Sequence, residues 1–193
     1  FNNFNEHIGE SNQLYLSTNY RSSRKIVAIG NSLMTGFGKP AIAHKYSTGT
    51  VILSDLKDFE PSLIEKQRHP GDIITPAISR IASKGLADGL DVVILCRRNG
   101  LPWFVNYKND VSKGPALEKY IKLIRSLFPR GLKERISIST THKYKGMEKQ
   151  MVIVYDAVDS SYPLIHTDWI FTKILGDNLI KITEEERRLF YVA

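Results

Sequence analysis

The chain has 193 residues, 42% of them hydrophobic, with 27 Lys+Arg against 20 Asp+Glu. That length holds one ordinary domain with a sizeable core and has no room for two large ones. Its single cysteine, Cys96, excludes an internal disulfide framework and a four-cysteine zinc site and points to a reducing, cytoplasmic compartment. No signal peptide is visible and no apolar run nears the roughly 20 residues a helix needs to cross a bilayer, so a soluble protein with no membrane partner is expected. A formal charge of +7 favours a polyanionic partner, but weakly.

Residues 1–13 are polar and read as a loop or an edge of the fold. Leu14–Tyr15–Leu16 predicts a short strand, followed by a helix capped by Ser22 or Ser23, with Ile26, Val27, Gly30, Leu33 and Met34 at helical spacing and Gly36 and Gly38 as its stop. Val51–Ile52–Leu53 predicts a second strand, and Asp55 to Gly71, with Pro61, Pro70 and mixed charge, a connection. Ile73, Ile74, Ile78, Ile81 and Ala82 predict a helix closed by Gly85, with Pro76 near its start. Asp91–Cys96 predicts a strand, its unbroken apolar run from Val92 being of the kind buried on both faces of a parallel sheet. A helix opened by Pro115 carries Leu117, Tyr120, Ile121, Ile124, Leu127 and Phe128 on one face and ends at Pro129 and Gly131. Ile136–Thr140 alternates as a strand, Thr141–Gln150 reads as a polar loop, and Met151–Tyr155 as another buried strand. A last helix is predicted from Thr183, where Thr183 and Glu186 have capping-box spacing and Glu184 and Glu185 suit the positive end of the dipole.

Strands alternating with helices imply an α/β fold: a mainly parallel sheet with helices on both faces and a ligand site at the C-terminal ends of its strands. Polar clusters fall at such positions: Asn19–Tyr20–Arg21, Arg97–Arg98–Asn99 and Thr141–His142–Lys143–Tyr144–Lys145–Gly146. Each holds donors or a ring suited to phosphates and bases, and none has the Gly-Lys-Ser/Thr ending of a phosphate loop, so the domain is not a self-sufficient P-loop ATPase. There is no internal repeat.

Three segments, in order, resemble the C-terminal motor motifs of the UvrD/Rep-like superfamily 1 DNA helicases. Leu16-Ser-Thr-Asn-Tyr-Arg-Ser22 resembles motif IV, Thr141-His-Lys-Tyr-Lys-Gly-Met-Glu148 motif V, and Glu184-Glu-Glu-Arg-Arg-Leu-Phe-Tyr-Val-Ala193 the opening of motif VI. A weaker match, Val92-Val-Ile-Leu-Cys-Arg-Arg-Asn99, sits where the family has a strand ending in DNA-facing residues. The resemblance spans residues 14–193. It implies the second RecA-like motor domain of an ATP-driven helicase, a P-loop NTPase-type fold without its own P-loop, which closes on an N-terminal motor domain carrying the phosphate loop and the Mg²⁺ ligands. Position by position it implies Tyr20 on the adenine, Arg21 at the γ-phosphate as the catalytic arginine, and Gly146 and Glu148 at the nucleotide, Glu148 taking the ribose hydroxyl. Arg97, Asn99, His142 and Lys145 would face single-stranded or partly duplex DNA. A guanidinium fork matches phosphate oxygens, and cations on phosphates with neutral groups on sugars and bases grip a single strand without much sequence preference.

The sequence departs from the pattern at Met147, where leucine is usual, and at Lys149–Gln150, where an apolar residue commonly follows the glutamate. Only one helix fits between Asn99 and Thr141, so the family's large accessory insertion is expected to be absent, and motif VI breaks off before its phosphate arginine, as in a piece of a larger protein. Without the partner domain the chain is expected to be inactive. Two other readings stay open: a non-catalytic nucleic-acid clamp or docking module that keeps the motor fold, and a nucleotide-binding α/β domain unrelated to DNA. Taken singly, Asn19–Tyr20–Arg21 also reads as a plain strand-to-helix turn, Glu148 as a lysine partner, and Cys96 as an inert core residue.

Overall fold

The computed structural model describes residues 16–68, 72–100, 102, 104–105, 116–159, 161–165, 176 and 178–191. The expectations for residues 1–13, Leu14, Tyr15, Pro70, Gly71, Pro115 and Val192–Ala193 lie outside the described residues. The chain divides into two compact units, Phe1–Ile52 and Leu53–Ala193.

In the first unit, strand β1 (Thr18–Asn19) leads into helix α1 (Arg24–Leu33), and the chain returns as strand β2 (Ile42–Ala43), parallel to β1 with Thr18 opposite Ile42. Parallel pairing requires such a crossover. Asn31 fixes the return: its amide donates to the Ala41 carbonyl at 2.8 Å and its carbonyl accepts from Ala41 N–H at 2.9 Å. Ser23 is the N-cap residue by position, yet its hydroxyl makes no capping bond. The orphan amides of the first turn go instead to the backbone of a later segment, Arg24 N–H to Ser47 O and Lys25 N–H to Thr48 O. Gly36 and Gly38 take φ of +87° and +78° and end the helix as expected. Val27 is the buried residue of α1, while Ile26 and Ile29 are about half exposed. Val51–Ile52–Leu53 is not a strand: these residues are unpaired in the described sheets and lie exposed, and the strand of this region is Ile42–Ala43. β-branched side chains favour a pleated surface only where a neighbouring strand offers one.

The second unit holds the core. The connection after Asp55 contains a 3₁₀ turn, Leu56–Asp58, and helix α2 (Leu63–Arg68), opened by a reciprocal capping box between Ser62 and Glu65. Helix α3 (Ile74–Ala87) runs past Gly85 and is stopped by Gly89 at φ +75°. Gly85 is a close-approach residue: a Cβ there would lie 2.1 Å from the Met151 sulfur. Three parallel strands follow, β3 (Val92–Cys96), β4 (Ile136–Thr140) and β5 (Met151–Val154), ordered β4-β3-β5, with Val92 opposite both Ile136 and Met151. β3 is central and fully buried, as its apolar run requires; β5 is half exposed at Val152, a correction to the buried strand expected there.

Helix α4 (Ala116–Ser126) connects β3 to β4 and buries Leu117, Tyr120 and Ile124 against Val92, Ile94, Cys96 and Ile136, together with Ile74, Ile78, Ala82 and Leu86 of α3. Phe104, Tyr120 and Tyr155 meet edge to face, with ring centroids 5.6–6.1 Å apart. α4 ends at Ser126, short of Leu127 and Phe128, and Pro129 then caps a separate short turn, α5 (Arg130–Lys133), with Gly131 inside it. At the N-terminal ends of the strands Asp91 accepts from Arg135 at 3.0 Å and from Lys149 at 3.2 Å, which holds its carboxyl below the usual carboxylate range.

Candidate functional site

In the first unit the chain leaves β1 through a turn built by one side chain. The Asn19 amide oxygen accepts from the N–H groups of Arg21 and Ser22 at 3.0 and 2.9 Å, an Asx turn that puts Tyr20 and Arg21 on the surface directly after the strand. Tyr20 is 66% exposed, its ring 4.5 Å from that of His44 and tilted by 45°. An exposed ring beside an exposed guanidinium is a pair that a base and a phosphate can use.

The second unit assembles its polar cluster at the C-terminal ends of β3 and β4. Cys96 lies opposite Thr140, so the residues that follow, Arg97 and Thr141, emerge level with each other. Thr141–Tyr144 is a single helical turn, α6, where a loop was expected. Thr140 caps it by accepting from Lys143 N–H at 3.3 Å, and Gly146 ends it at φ +88°, a conformation that side-chain-bearing residues rarely adopt. His142 is exposed on this turn, Lys145, Gly146 and Glu148 are exposed in the segment just after it, and Asn99 is exposed beyond β3. Tyr144 is half-buried, and its phenol is pushed up by burial, an effect that Lys149 opposes and Glu148 adds to.

Arg97 is held inside the protein. Its Nε and Nη2 donate to the two carboxylate oxygens of Glu186 at 3.0 and 2.5 Å, with the side chains 13% and 12% exposed, and its Nη1 lies 3.3 Å from His142 Nδ1. Glu186 sits in helix α7 (Leu179–Tyr191), which begins four residues before Thr183. Asn178 caps α7 by accepting from Lys181 N–H at 2.8 Å, whereas Thr183 donates to Leu179 O at 2.8 Å. The Thr183–Glu186 capping box is therefore not formed, and Glu184 and Glu185 lie mid-helix, away from its positive end. The spacing fitted a box, but Asn178 starts the helix earlier and a tertiary partner takes Glu186.

Tyr162 ties the same helix to α6. Its hydroxyl lies 2.7 Å from that of Thr141, and its ring lies 4.8 Å from Phe190. Burial raises the Tyr162 phenol, an effect the Thr141 bond opposes. Glu186 and Tyr162 carried no motif signal as partners, because neither pairing is local in sequence. Cys96 is buried, with its thiol pushed up by burial and its sulfur 3.3 Å from the Arg98 carbonyl. Among the described residues no group of three or more His, Cys, Asp or Glu side chains could hold a metal ion, and no helix is long and apolar enough to cross a membrane.

Parallel strands with crossover helices and a polar cluster beyond their C-terminal ends define an α/β fold of the RecA-like type. Residues 103–193 match the family model of the UvrD-like helicase C-terminal domain, so that stretch, with motif V and the opening of motif VI, is a C-terminal helicase region of the UvrD/Rep-like superfamily 1 type. The motif IV segment at 16–22 and the stretch 92–99 precede the match. No curated protein and no solved structure matches the chain.

Proposed function

We propose that this chain is the C-terminal motor half of an ATP-dependent DNA helicase or translocase, acting with an N-terminal motor domain that supplies the phosphate loop and the Mg²⁺ ligands. The observation that carries the reading is the family match over 103–193, with motif V as an exposed turn at the C-terminal end of β4. In this reading the Tyr20 ring stacks on the adenine, Glu148 accepts from the ribose, Gly146 lets the backbone turn beside the nucleotide, and Arg21 stabilises charge on the transferring phosphoryl group. An arginine in that role contributes a factor of roughly 10³ or more to turnover. Asn99, His142 and Lys145 face the single strand, with Lys145 on phosphate and the neutral groups on sugar or base edges.

The test is ATP turnover with and without single-stranded DNA, by this chain and by a protein joining it to a UvrD-type first motor domain. Only the joined protein should turn over, with stimulation by DNA, and Arg21→Ala should abolish turnover there. DNA-stimulated turnover by the 193-residue chain itself, or an Arg21→Ala enzyme as fast as its parent, refutes the reading.

A further inference from the structure

We infer that Arg97 is a positioning residue for His142, held by Glu186, and does not itself contact DNA phosphate; the inference rests on the DNA reading above. Three chain segments meet at this guanidinium. The register of β3 and β4 brings Arg97 beside α6, and the mid-helix position of Glu186 in α7 puts a carboxylate against it. Two parallel N–H bonds form a fork on that carboxylate, and Glu186 Oε2 also accepts from Leu164 N–H at 3.1 Å. Both side chains are almost nine-tenths buried, so drawing Arg97 out to a phosphate would leave a carboxylate charge with little solvent, and breaking such pairs is costly.

The third nitrogen supplies the consequence. A guanidinium has donors and no acceptor, so Nη1, 3.3 Å from His142 Nδ1, can only donate to it. Nδ1 is then the acceptor, and the neutral ring carries its proton on Nε2. His142 is exposed, so Glu186 and Arg97 together fix both the ring's orientation and the tautomer it offers: an Nε2–H donor suited to an acceptor on a sugar, base or phosphate. Glu186, an acidic residue next to a DNA-facing surface, thereby supports binding.

The two roles for Arg97 predict opposite signs for Glu186→Gln. If Arg97 gripped phosphate, removing the acidic partner would release it, tighten binding and steepen the salt dependence by about one ion's worth. If Arg97 positions His142, the same substitution loosens the ring and weakens binding. The experiment measures a fluorescein-labelled oligothymidylate against salt for the wild-type chain, Glu186→Gln, Arg97→Ala, their double variant and the reversed pair Arg97→Glu/Glu186→Arg. We expect each single variant to weaken binding several-fold with an unchanged salt slope, the double to be no worse than either, and the reversed pair to recover part of the loss. Tighter or unchanged binding by Glu186→Gln, or a slope flattened by about one in Arg97→Ala, overturns the inference.

A second arm needs no DNA. The ¹⁵N imidazole resonances of His142 should report the Nε2–H tautomer in the wild-type chain and lose that preference in Glu186→Gln and in Arg97→Lys, which keeps the charge but cannot hold the fork and reach Nδ1 together. Unchanged resonances in both variants overturn the inference. If the wild-type chain binds no single strand, the DNA reading fails, and the imidazole spectrum alone decides whether Arg97 positions His142.

Discussion

The Tyr162–Thr141 bond is the point at which motif V is tied to the segment before the last helix, and its strength can be measured. The two hydroxyls lie 2.7 Å apart, Thr141 is 1% exposed, and its hydroxyl also reaches the Cys96 carbonyl at 3.4 Å. Tyr162→Phe removes one hydroxyl and keeps the ring against Phe190. Thr141 then retains only its long bond to Cys96, so the loss is that of one good neutral hydrogen bond, about 1–1.5 kcal/mol. Thr141→Val removes both of its bonds at nearly constant volume and strands the Tyr162 hydroxyl, at about 1.5–2.5 kcal/mol. The shared bond is counted in both singles, so the double variant should cost less than their sum, with a coupling of about 1 kcal/mol. Urea denaturation of the four proteins gives the cycle, and in thermal melts Tyr162→Phe should lower Tm by about 3–5 °C for a unit of this size. Strict additivity, with coupling below about 0.3 kcal/mol, would refute the claim that this bond ties the two segments.

Three further outcomes are expected. Arg80 first, then the backbone and hydroxyl of Ser62, hold the Glu65 carboxyl down to about 2, and Arg135 and Lys149 lower that of Asp91. Both are depressed carboxylates, so their contribution is full above the unfolded-state value and is lost as pH falls through the folded one. Acid titration followed by circular dichroism should therefore show stability declining from about pH 4.5 towards pH 2, and Glu65→Gln should flatten part of that decline while costing about 1 kcal/mol at pH 7. Gly146→Ala meets nothing within 4 Å, so its cost is the positive φ alone, about 1 kcal/mol, and Gly146→Asn should cost less; equal stability of all three proteins by denaturation would mean that the turn is not held left-handed. Native Cys96 should resist a thiol reagent such as a disulfide dye until denaturant unfolds the second unit, because its thiol is 2% exposed and its pKa is raised; stoichiometric labelling within seconds under native conditions would contradict that burial.

Where local chemistry decides, the amino-acid order was sufficient. The run Val92–Cys96 is apolar at every position, and only a central strand buried on both faces accommodates that pattern. Ile136–Thr140, the α4 face at Leu117, Tyr120 and Ile124, and the glycine stop at Gly36 and Gly38 follow from period and backbone freedom in the same way. Motifs IV and V were legible for the same reason, since each is a short run at a strand end, whereas the motif VI segment lies along α7; the family match independently covers V and the opening of VI.

What the sequence left undecided turns on partners distant in the chain. Val51–Leu53 has the composition of a strand and no strand to pair with in the described sheets, whereas Ile42–Ala43 has little strand signal but lies beside β1 because Asn31 draws the backbone there. Gly85 reads as a stop, yet it is an opening for Met151, which lies 66 positions later in the sequence. Glu186 has the spacing of a local cap, and its carboxylate goes to Arg97, 89 positions away, because a charge-assisted fork in a nearly dry setting outweighs one exposed backbone bond. Spacing along the chain set which groups could act at the strand ends; only the β3–β4 register and the docking of α7 decided that Arg97 is held between a carboxylate and an imidazole.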